Sequence, residues 1–489
     1  FCDNDDKNNN NNNNNNKTQL PVSDSGSIAQ LRWDHGDVIS YGIMTGQYLQ
    51  HIYKELDGLY LRDDLCDGLC NVIDRIYLNI VEVLINTSMH YIPLCKKKFF
   101  KFWWNQELDV LKEAAIESSR IWKSAGKPRS GPIFDKYRRD KNAYRKAIRN
   151  GERNNQCSYS NDLHEALENK NGPAFWKAWR AKFESKHTFS HINGVTDPLT
   201  ICDLFAHHFE TACSTATKSG AERLKHDYEL MLSSYCVPPD NDESVIDAEL
   251  VEQVISKLKR GKAAGLDSLT AEHLQYSHPL LPCVLAKLFN CMLHCGYVPD
   301  SFGQSYTVPL HKDPSNVYSK APSVDDFRGI SISPVLSKVF EHCILSRYGK
   351  LFVTSDSQFG FKKHSGCTHA IYVLRRTVEN YVSAGSTVNI CALDLSKAFD
   401  KMSHYGLFIT LMKRSIPVNL LALFELWFNK CYTCVRWGSC YSCLFQLKCG
   451  VRQGGVLSPY FFAVYMDNLI VKIQQLSIGC CVHFVNISI

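Results

Sequence analysis

The apolar residues follow a helical period in the first half of the chain and a mixed pattern in the second half. Between residues 28 and 93 they recur every three or four positions, which predicts amphipathic helices. The clearest run is Leu69, Ile73, Ile76, Ile80, Val83 and Leu84. A second run, formed by Leu108, Leu111, Ala115 and Trp122, predicts a helix that ends near Gly126 and Pro128. From Gly261 onward, short alternating runs between helical stretches predict a part that contains both strands and helices.

Interruptions of this pattern divide the chain into five predicted segments. The first segment contains nine consecutive asparagines and is predicted to be disordered, because such a tract buries no apolar surface. The prolines and acidic residues of 238–243 predict a linker into the strand-containing part. The five segments are residues 1–27, the mostly helical 28–95, the helical and basic 96–245, and the strand-containing 246–387 and 388–489.

Composition narrows the class of protein. The 489 residues are 45% hydrophobic and carry a formal net charge of +6, so any affinity for nucleic acid must come from local patches. No window of 18 consecutive apolar residues occurs, which argues against a membrane span. The 21 cysteines are too dilute for a secreted disulfide scaffold, and no signal peptide is visible after Phe1. We therefore expect an intracellular protein of the cytoplasm and nucleus with free thiols.

A basic stretch at 136–153 allows two interpretations. It holds eight basic residues against two acidic ones, and four of them share a face at helical spacing. Those four are Arg138, Lys141, Arg145 and Arg149. The face is either the solvated side of a docked helix or a stripe that follows the phosphates of a polynucleotide.

Two cations stand on neighbouring strand-like runs. In 307–313 the residues Val308, Leu310 and Lys312 alternate onto one face of a predicted strand. Arg328 stands at the head of the next short strand, after a polar loop. Each cation alone is typical of a surface charge, but a hairpin would let the two neutralise a triphosphate together.

The segment 388–400 predicts a strand that ends in a carboxylate. Val388, Ile390, Ala392 and Asp394 alternate onto one face, and a carboxylate beside a backbone carbonyl is the kind of ligand that Mg²⁺ takes. The carbonyl would come from Leu395. In the alternative interpretation, Asp394 makes a turn hydrogen bond and Asp400 caps the next helix.

Turn and N-cap signals predict where two helices of the second half of the chain begin. Gln453 and Gly454 begin a predicted tight turn, Ser458 is a predicted N-cap, and Pro459 suits the first position of the apolar helix that follows. Thr270 is a predicted N-cap of an earlier helix.

Four cysteines form a paired motif. Cys431, Cys434, Cys440 and Cys443 have the two-residue spacing of zinc ligands, although the spacer of five residues is short for a zinc ribbon. Cysteine also serves as a small apolar residue in a hairpin, so both interpretations remain open.

The order of the motifs resembles one family closely. The blocks GKAAGLD, VPLHK, FRGISISPVLSKVFE, QFGFKKHSGCTHAI, ALDLSKAFD and GVRQGGVLSP follow one another as in the reverse transcriptases of non-LTR (LINE-type) retrotransposons. The resemblance covers residues 246–489, and residues 103–115 and 201–210 resemble the helical segment that joins the family's endonuclease to its polymerase.

The resemblance implies an α+β fold of right-hand polymerase type. It assigns the fingers to 246–387 and a partial palm, an antiparallel sheet with helices, to 388–489. A mostly helical N-terminal extension would precede them at 96–245, and 28–95 would be a helical linker after a missing endonuclease.

The resemblance also implies the role of each motif residue. Asp394 would be the first catalytic, metal-binding aspartate, with Leu395 lending its carbonyl to Mg²⁺. Lys312 and Arg328 would hold the triphosphate, and Phe399 would lie under the sugar and exclude a 2′-hydroxyl. The other two nucleotide-binding residues would be Gln453 and Gly454. An RNA template, a DNA primer and deoxynucleoside triphosphates would be the partners, with no membrane.

One departure from the family pattern limits these expectations. The family's aromatic-x-Asp-Asp hairpin should follow the strand at 479–482, and neither that motif nor a thumb is seen before Ile489. Asp467 is rejected as a substitute, because its position predicts a helix. We therefore expect the printed chain to lack polymerase activity, and the alternative is a non-catalytic nucleic-acid-binding remnant of a decayed element.

Overall fold

The computed structural model describes two compact units. The larger comprises Phe1–Leu94 and Ser190–Ile489, and the smaller comprises Cys95–Phe189. The described residues are 31–33, 36–59, 66–94, 106–168, 172, 189, 191–214, 218–238, 245–313, 322–362, 364–476, 480–482 and 485–487. The predicted disorder of 1–27 and most of the predicted linker at 238–243 lie outside them.

The smaller unit is built on a pair of helices, α3 (Gln106–Ser124) and α4 (Pro132–Glu168). Trp122 stacks on Tyr137 with ring centroids 4.5 Å apart, and its indole N–H donates to the Pro128 carbonyl oxygen at 2.9 Å. The end of α3 agrees with the predicted end near Gly126 and Pro128.

The larger unit holds the other helices and the strands of the described residues. Its helices are α1 (Val38–Leu59), α2 (Cys66–Tyr91), α5 (Pro198–Ala212), α6 (Lys218–Leu232), α7 (Ala248–Lys257), α8 (Ala271–Gln275), α9 (Leu280–Cys295), α10 (Asp300–Gly303), α11 (Val335–Arg347), α12 (Cys367–Ser383), α13 (His404–Lys413), α14 (Val418–Asn429) and α15 (Ser458–Gln475). The strands are β1 (Gln304–His311), β2 (Phe327–Ile332), β3 (Tyr432–Trp437), β4 (Cys440–Tyr441), β5 (Phe445–Gln446), β6 (Cys480–Val482) and β7 (Val485–Ile487).

Helices α1 and α2 are part of the core of the larger unit. The predicted apolar face of α2 is buried, and Ile76, Ile80 and Leu84 have no exposed surface. The Tyr41 hydroxyl of α1 donates to the His273 carbonyl oxygen at 3.0 Å. Packing thus groups residues 31–94 and 191–238 with the second half of the chain, whereas the sequence pattern places boundaries at 95 and 245.

The main sheet has the strand order β2-β1-β3-β4, and β5 also pairs with β3. The pairs β1–β2, β3–β4 and β3–β5 are antiparallel, as predicted for this sheet. The pair β1–β3 is parallel, which the expectation of an antiparallel sheet did not include. A second sheet consists of β6 and β7. The mixture of helices and a small sheet agrees with the predicted α+β class.

The predicted strand at 388–394 is wrong. Residues 387–395 have no strand structure, and Ile390 and Leu393 are 61% and 84% exposed. A strand needs a neighbouring backbone to satisfy its N–H and C=O groups, and none of the described strands pairs with this segment. The alternating pattern is present in the sequence, but a pattern alone supplies no hydrogen-bonding partner.

None of the helices in the described part of the chain is both long enough and apolar enough to cross a membrane.

Candidate functional site

The predicted cations Lys312 and Arg328 lie together at the loop end of the β1–β2 hairpin. Arg328 is paired with Leu310 across the two strands, so it shares a face with Leu310 and with Lys312 two residues later. An Nη2 of Arg328 donates to the Lys312 carbonyl oxygen at 3.4 Å, and the Lys312 Nζ donates to the Asp325 carbonyl oxygen at 2.6 Å. Both side chains are exposed. The hairpin therefore presents two cations to solvent from one face, as the sequence predicted.

The Gln453–Gly454 turn docks on the same strand. The Ser331 N–H of β2 donates to the Gln453 carbonyl oxygen at 2.8 Å. Gly454 has φ +134°, and a Cβ added there would lie 2.3 Å from the Ser331 carbonyl oxygen. Only glycine fits this close approach. Since Ser331 and Arg328 are three residues apart on one strand, the turn and the cations are separated by about 10 Å.

The segment that carries Phe399 is fixed to that turn. The Val451 N–H donates to the Phe399 carbonyl oxygen at 2.8 Å, and the Gln453 side-chain amide donates to the Asp400 carboxylate at 3.3 Å. Burial raises the pKa of the Asp400 carboxyl above its ordinary value. The half-buried Phe399 ring stacks on Phe462 with centroids 4.7 Å apart. The predicted alternative role of Asp400 is wrong, because the cap of α13 is Ser403, whose hydroxyl accepts from the Gly406 N–H at 3.3 Å.

Asp394 and Leu395 lie on the irregular segment instead of at a strand end. Both are exposed, and no hydrogen bond or ion pair joins the Asp394 carboxylate to the described residues. In the described part of the chain, no three His, Cys, Asp or Glu side chains come together in an arrangement that could hold a metal ion. Two-metal phosphoryl transfer needs several carboxylates around the ions, so the described residues fit such a site only in part. No metal-dependent step follows from this geometry.

The Asp467 carboxylate is used in contacts that stabilise the fold. Asp467 lies in α15, as its rejection as a second catalytic aspartate required. Its carboxylate accepts from an Nη2 of Arg414 at 2.7 Å and from the Ser355 N–H at 2.8 Å. These contacts tie α15 to the end of α13 and to the segment after α11.

The start of α15 depends on a residue that the sequence did not reveal. The buried Glu341 carboxylate of α11 accepts from the Val456 N–H at 2.6 Å and the Leu457 N–H at 2.8 Å. Ser458, the predicted N-cap, is instead the first helical residue. A carboxylate at this helix start is favoured by the free N–H groups and the helix dipole.

The predicted N-cap Thr270 precedes α8 and is confirmed. Its N–H donates to His273 Nδ1 at 3.1 Å.

The predicted basic stripe lies on α4. Arg138, Arg145 and Arg149 are exposed. Lys141 is half-buried, and its Nζ donates to the Tyr137 hydroxyl at 2.6 Å and lies 5.0 Å from that ring's centroid. Lys141 therefore borders the tyrosine face of the helix, and the three arginines form the accessible stripe.

The four cysteines lie in and around the β3–β4 hairpin. Cys434 is fully buried, and burial raises the pKa of its thiol to about 12. A buried neutral thiol is a poor metal ligand, because zinc binds the thiolate. Cys431 is also buried, whereas Cys443 is exposed. This arrangement favours the interpretation of small apolar residues.

The second half of the chain is similar to known proteins. Residues 313–485 match the family described as Reverse transcriptase (RNA-dependent DNA polymerase). The chain is 26% identical over 283 residues to the RNA-directed DNA polymerase from mobile element jockey of Drosophila funebris, covering 55% of this chain and 29% of that protein. It is 30% identical over 219 residues to the Retrovirus-related Pol polyprotein from type-2 retrotransposable element R2DM of Drosophila melanogaster, covering 44% and 20%. The chain thus spans less than a third of the length of these relatives.

Proposed function

We propose that the chain takes part in RNA-directed DNA synthesis, as a member of the non-LTR retrotransposon polymerases. The match of residues 313–485 to the reverse transcriptase family and the similarity to the jockey polymerase support this proposal. The observation that carries the proposal is the arrangement along β2. One strand holds Arg328 beside Lys312 at one end and the Gln453–Gly454 turn at the other. The proposed ligand in this space is an incoming deoxynucleoside triphosphate.

The charges of the hairpin suit the phosphates. Phosphoryl transfer depends mostly on positioning and on neutralising negative charge, and charge-assisted hydrogen bonds are stronger than neutral ones. Among the described residues, the Lys312 ammonium and the Arg328 guanidinium donate to backbone carbonyl oxygens and not to carboxylates. A triphosphate would replace weak acceptors by charged oxygens.

Phe399 is proposed to contact the sugar. Stacking on Phe462 and the backbone bond to Val451 hold the ring in one place, which steric exclusion of a 2′-hydroxyl requires. Asp394 and the Leu395 carbonyl are the proposed ligands for a divalent cation such as Mg²⁺, which the family generally uses.

Triphosphate binding by the purified chain tests this proposal without depending on turnover. We expect dTTP to bind in competition with a fluorescent nucleotide analogue. Lys312→Ala and Arg328→Ala should each weaken dTTP binding about tenfold, the loss typical of one hydrogen bond to a charged group. The control Lys413→Ala removes an exposed lysine at the end of α13 and should change nothing. Equal binding by all four proteins would contradict the assignment of the hairpin.

The RNA template is the proposed ligand of the α4 stripe. The exposed Arg138, Arg145 and Arg149 support this, and the same observation supports the second candidate function, nucleic-acid binding without catalysis. Each phosphate contact on a single strand contributes about 0.7 to the slope of log affinity against log salt. Replacing the three arginines with alanine should therefore flatten the slope by about 2.

A control of equal charge makes this second experiment specific. The triple variant Arg120→Ala, Lys123→Ala and Lys127→Ala removes three positive charges from the end of α3 and the turn after it. It should keep the original slope. If both triple variants flatten the slope equally, net charge and not the stripe accounts for binding. If RNA binds but dTTP does not, the non-catalytic function is favoured.

A further inference from the structure

Helix α5 packs across the sheet next to the two cations. The Phe205 ring meets Phe327 of β2 edge-on at 5.1 Å and stacks on Trp437 of β3 at 5.4 Å. The Phe209 ring covers Gly329 so closely that an added Cβ would lie 3.0 Å from it. These contacts fix His208, between the two phenylalanines, at the end of the β1–β2 hairpin.

The His208 side chain lies beside a carboxylate at that point. Its Nδ1 is 3.8 Å from the Asp325 carboxylate, and its side chain is only 16% exposed. Asp325 is also the residue whose carbonyl oxygen accepts from Lys312. Burial and the nearby positive charges of Lys397 and Lys312 lower the pKa of the His208 imidazole, against the opposing effect of Asp325. The ring therefore lies beside Asp325, whose backbone carbonyl oxygen holds the Lys312 ammonium.

We propose that His208 joins Lys312 and Arg328 in one binding site for the terminal phosphates of the nucleoside triphosphate. This inference rests on the proposed function and extends it to α5, which lies outside the matched residues 313–485. His208 is not one of the sequence-predicted site residues.

The charge balance of the cluster supports an anionic ligand. The positive charges of Lys397 and Lys312 disfavour a proton on the His208 imidazole, and the Asp325 carboxylate lies beside the ring. A polyanion would relieve this repulsion, because each phosphate oxygen accepts from an ammonium or from an imidazole N–H. The Asp325 carboxylate would then compete with the phosphates for the same donors.

Comparison of two thymidine nucleotides tests the inference on the full chain. We expect His208→Ala to weaken dTTP binding about tenfold. Binding of dTMP, which lacks the terminal phosphates, should change less than twofold. The matched control His207→Ala removes the exposed neighbouring histidine and should leave both affinities unchanged. Asp325→Asn should strengthen dTTP binding about threefold, since it removes the competing carboxylate.

The outcomes separate this inference from the proposed function. If Lys312→Ala weakens dTTP binding but His208→Ala does not, the inference is overturned and the proposed function stands. Equal losses of dTTP and dTMP in His208→Ala would show a structural role and would also overturn it. If the unaltered chain binds dTTP no better than dTMP, both fail together. A selective loss of dTTP in His208→Ala, with a gain in Asp325→Asn, supports the inference.

Discussion

Removing the Asp467 carboxylate should destabilise the larger unit without touching the proposed nucleotide site. The side chain is 9% exposed and its partner Arg414 is 21% exposed. Asp467→Ala leaves the guanidinium without its counter-charge and the Ser355 N–H without its acceptor. Arg414 keeps its bonds to the carbonyl oxygens of Leu351 and Val353.

The size of the effect follows from these partners. Removing one member of a buried ion pair costs about 3–5 kcal/mol, because the other charge stays in a poorly solvated place. Arg414 retains some water and two carbonyl partners, so the lower end of that range applies. We expect a loss of about 3 kcal/mol in the free energy of unfolding.

Pulsed hydrogen exchange at increasing urea concentrations measures this loss of stability for α15 alone, from the peptides that cover the helix. It reports the unfolding of that helix even though the chain has two units. Asp394→Ala is the matched control, since the same substitution at an exposed carboxylate should shift stability by less than about 0.5 kcal/mol. The double substitution Arg414→Met with Asp467→Leu should recover most of the loss, because an apolar pair leaves no buried charge. If Asp467→Ala lowers the free energy of unfolding by less than about 1 kcal/mol, the reasoning is refuted, because the ion pair would then contribute no more than an exposed one.

Three further predictions concern other contacts. Phe399→Ala should lower the preference for dTTP over UTP about tenfold in competition binding if its ring excludes the 2′-hydroxyl; an unchanged ratio with lost stability would leave only packing against Phe462. Burial lowers the pKa of His404 to about 4, so between pH 6.5 and 4 the unfolded chain binds more protons than the folded chain. The free energy of unfolding should therefore decrease by about 1.4 kcal/mol for each unit by which the pH is lowered in this range. Urea titrations at pH 7 and 5 should show a smaller difference for His404→Gln. Glu341→Ala should cost about 2 kcal/mol in the same titration, because two buried N–H groups lose their acceptor, and a neutral result would rule out that cap.

Local patterns predicted local structure well. The apolar period gave α2 and α3, and the cap signal at Thr270 was right because an N-cap and its helix are neighbours in sequence. The resemblance in motif order agrees with the match of residues 313–485. The roles of Asp394, Lys312 and Arg328 remain predictions.

Contacts between distant residues needed the fold. The cap of α15 comes from Glu341, more than a hundred residues before the helix, and no local signal marks it. His208 reaches Asp325 only because α5 packs on the sheet through its phenylalanines. Long-range pairing of this kind depends on which surfaces are buried together.

The sequence by itself determined which residues alternate and where the cations and carboxylates stand along the chain. The tertiary structure decided which of those patterns found a partner. The alternating run at 388–394 stays irregular, because an extended backbone forms a strand only where another strand satisfies its hydrogen bonds. The environments of two aspartates were also decided by packing, which exposes Asp394 and encloses Asp467 beside Arg414. The local sequence pattern determines on which face of a helix or strand a residue lies. Packing against distant elements determines which residues that face contacts.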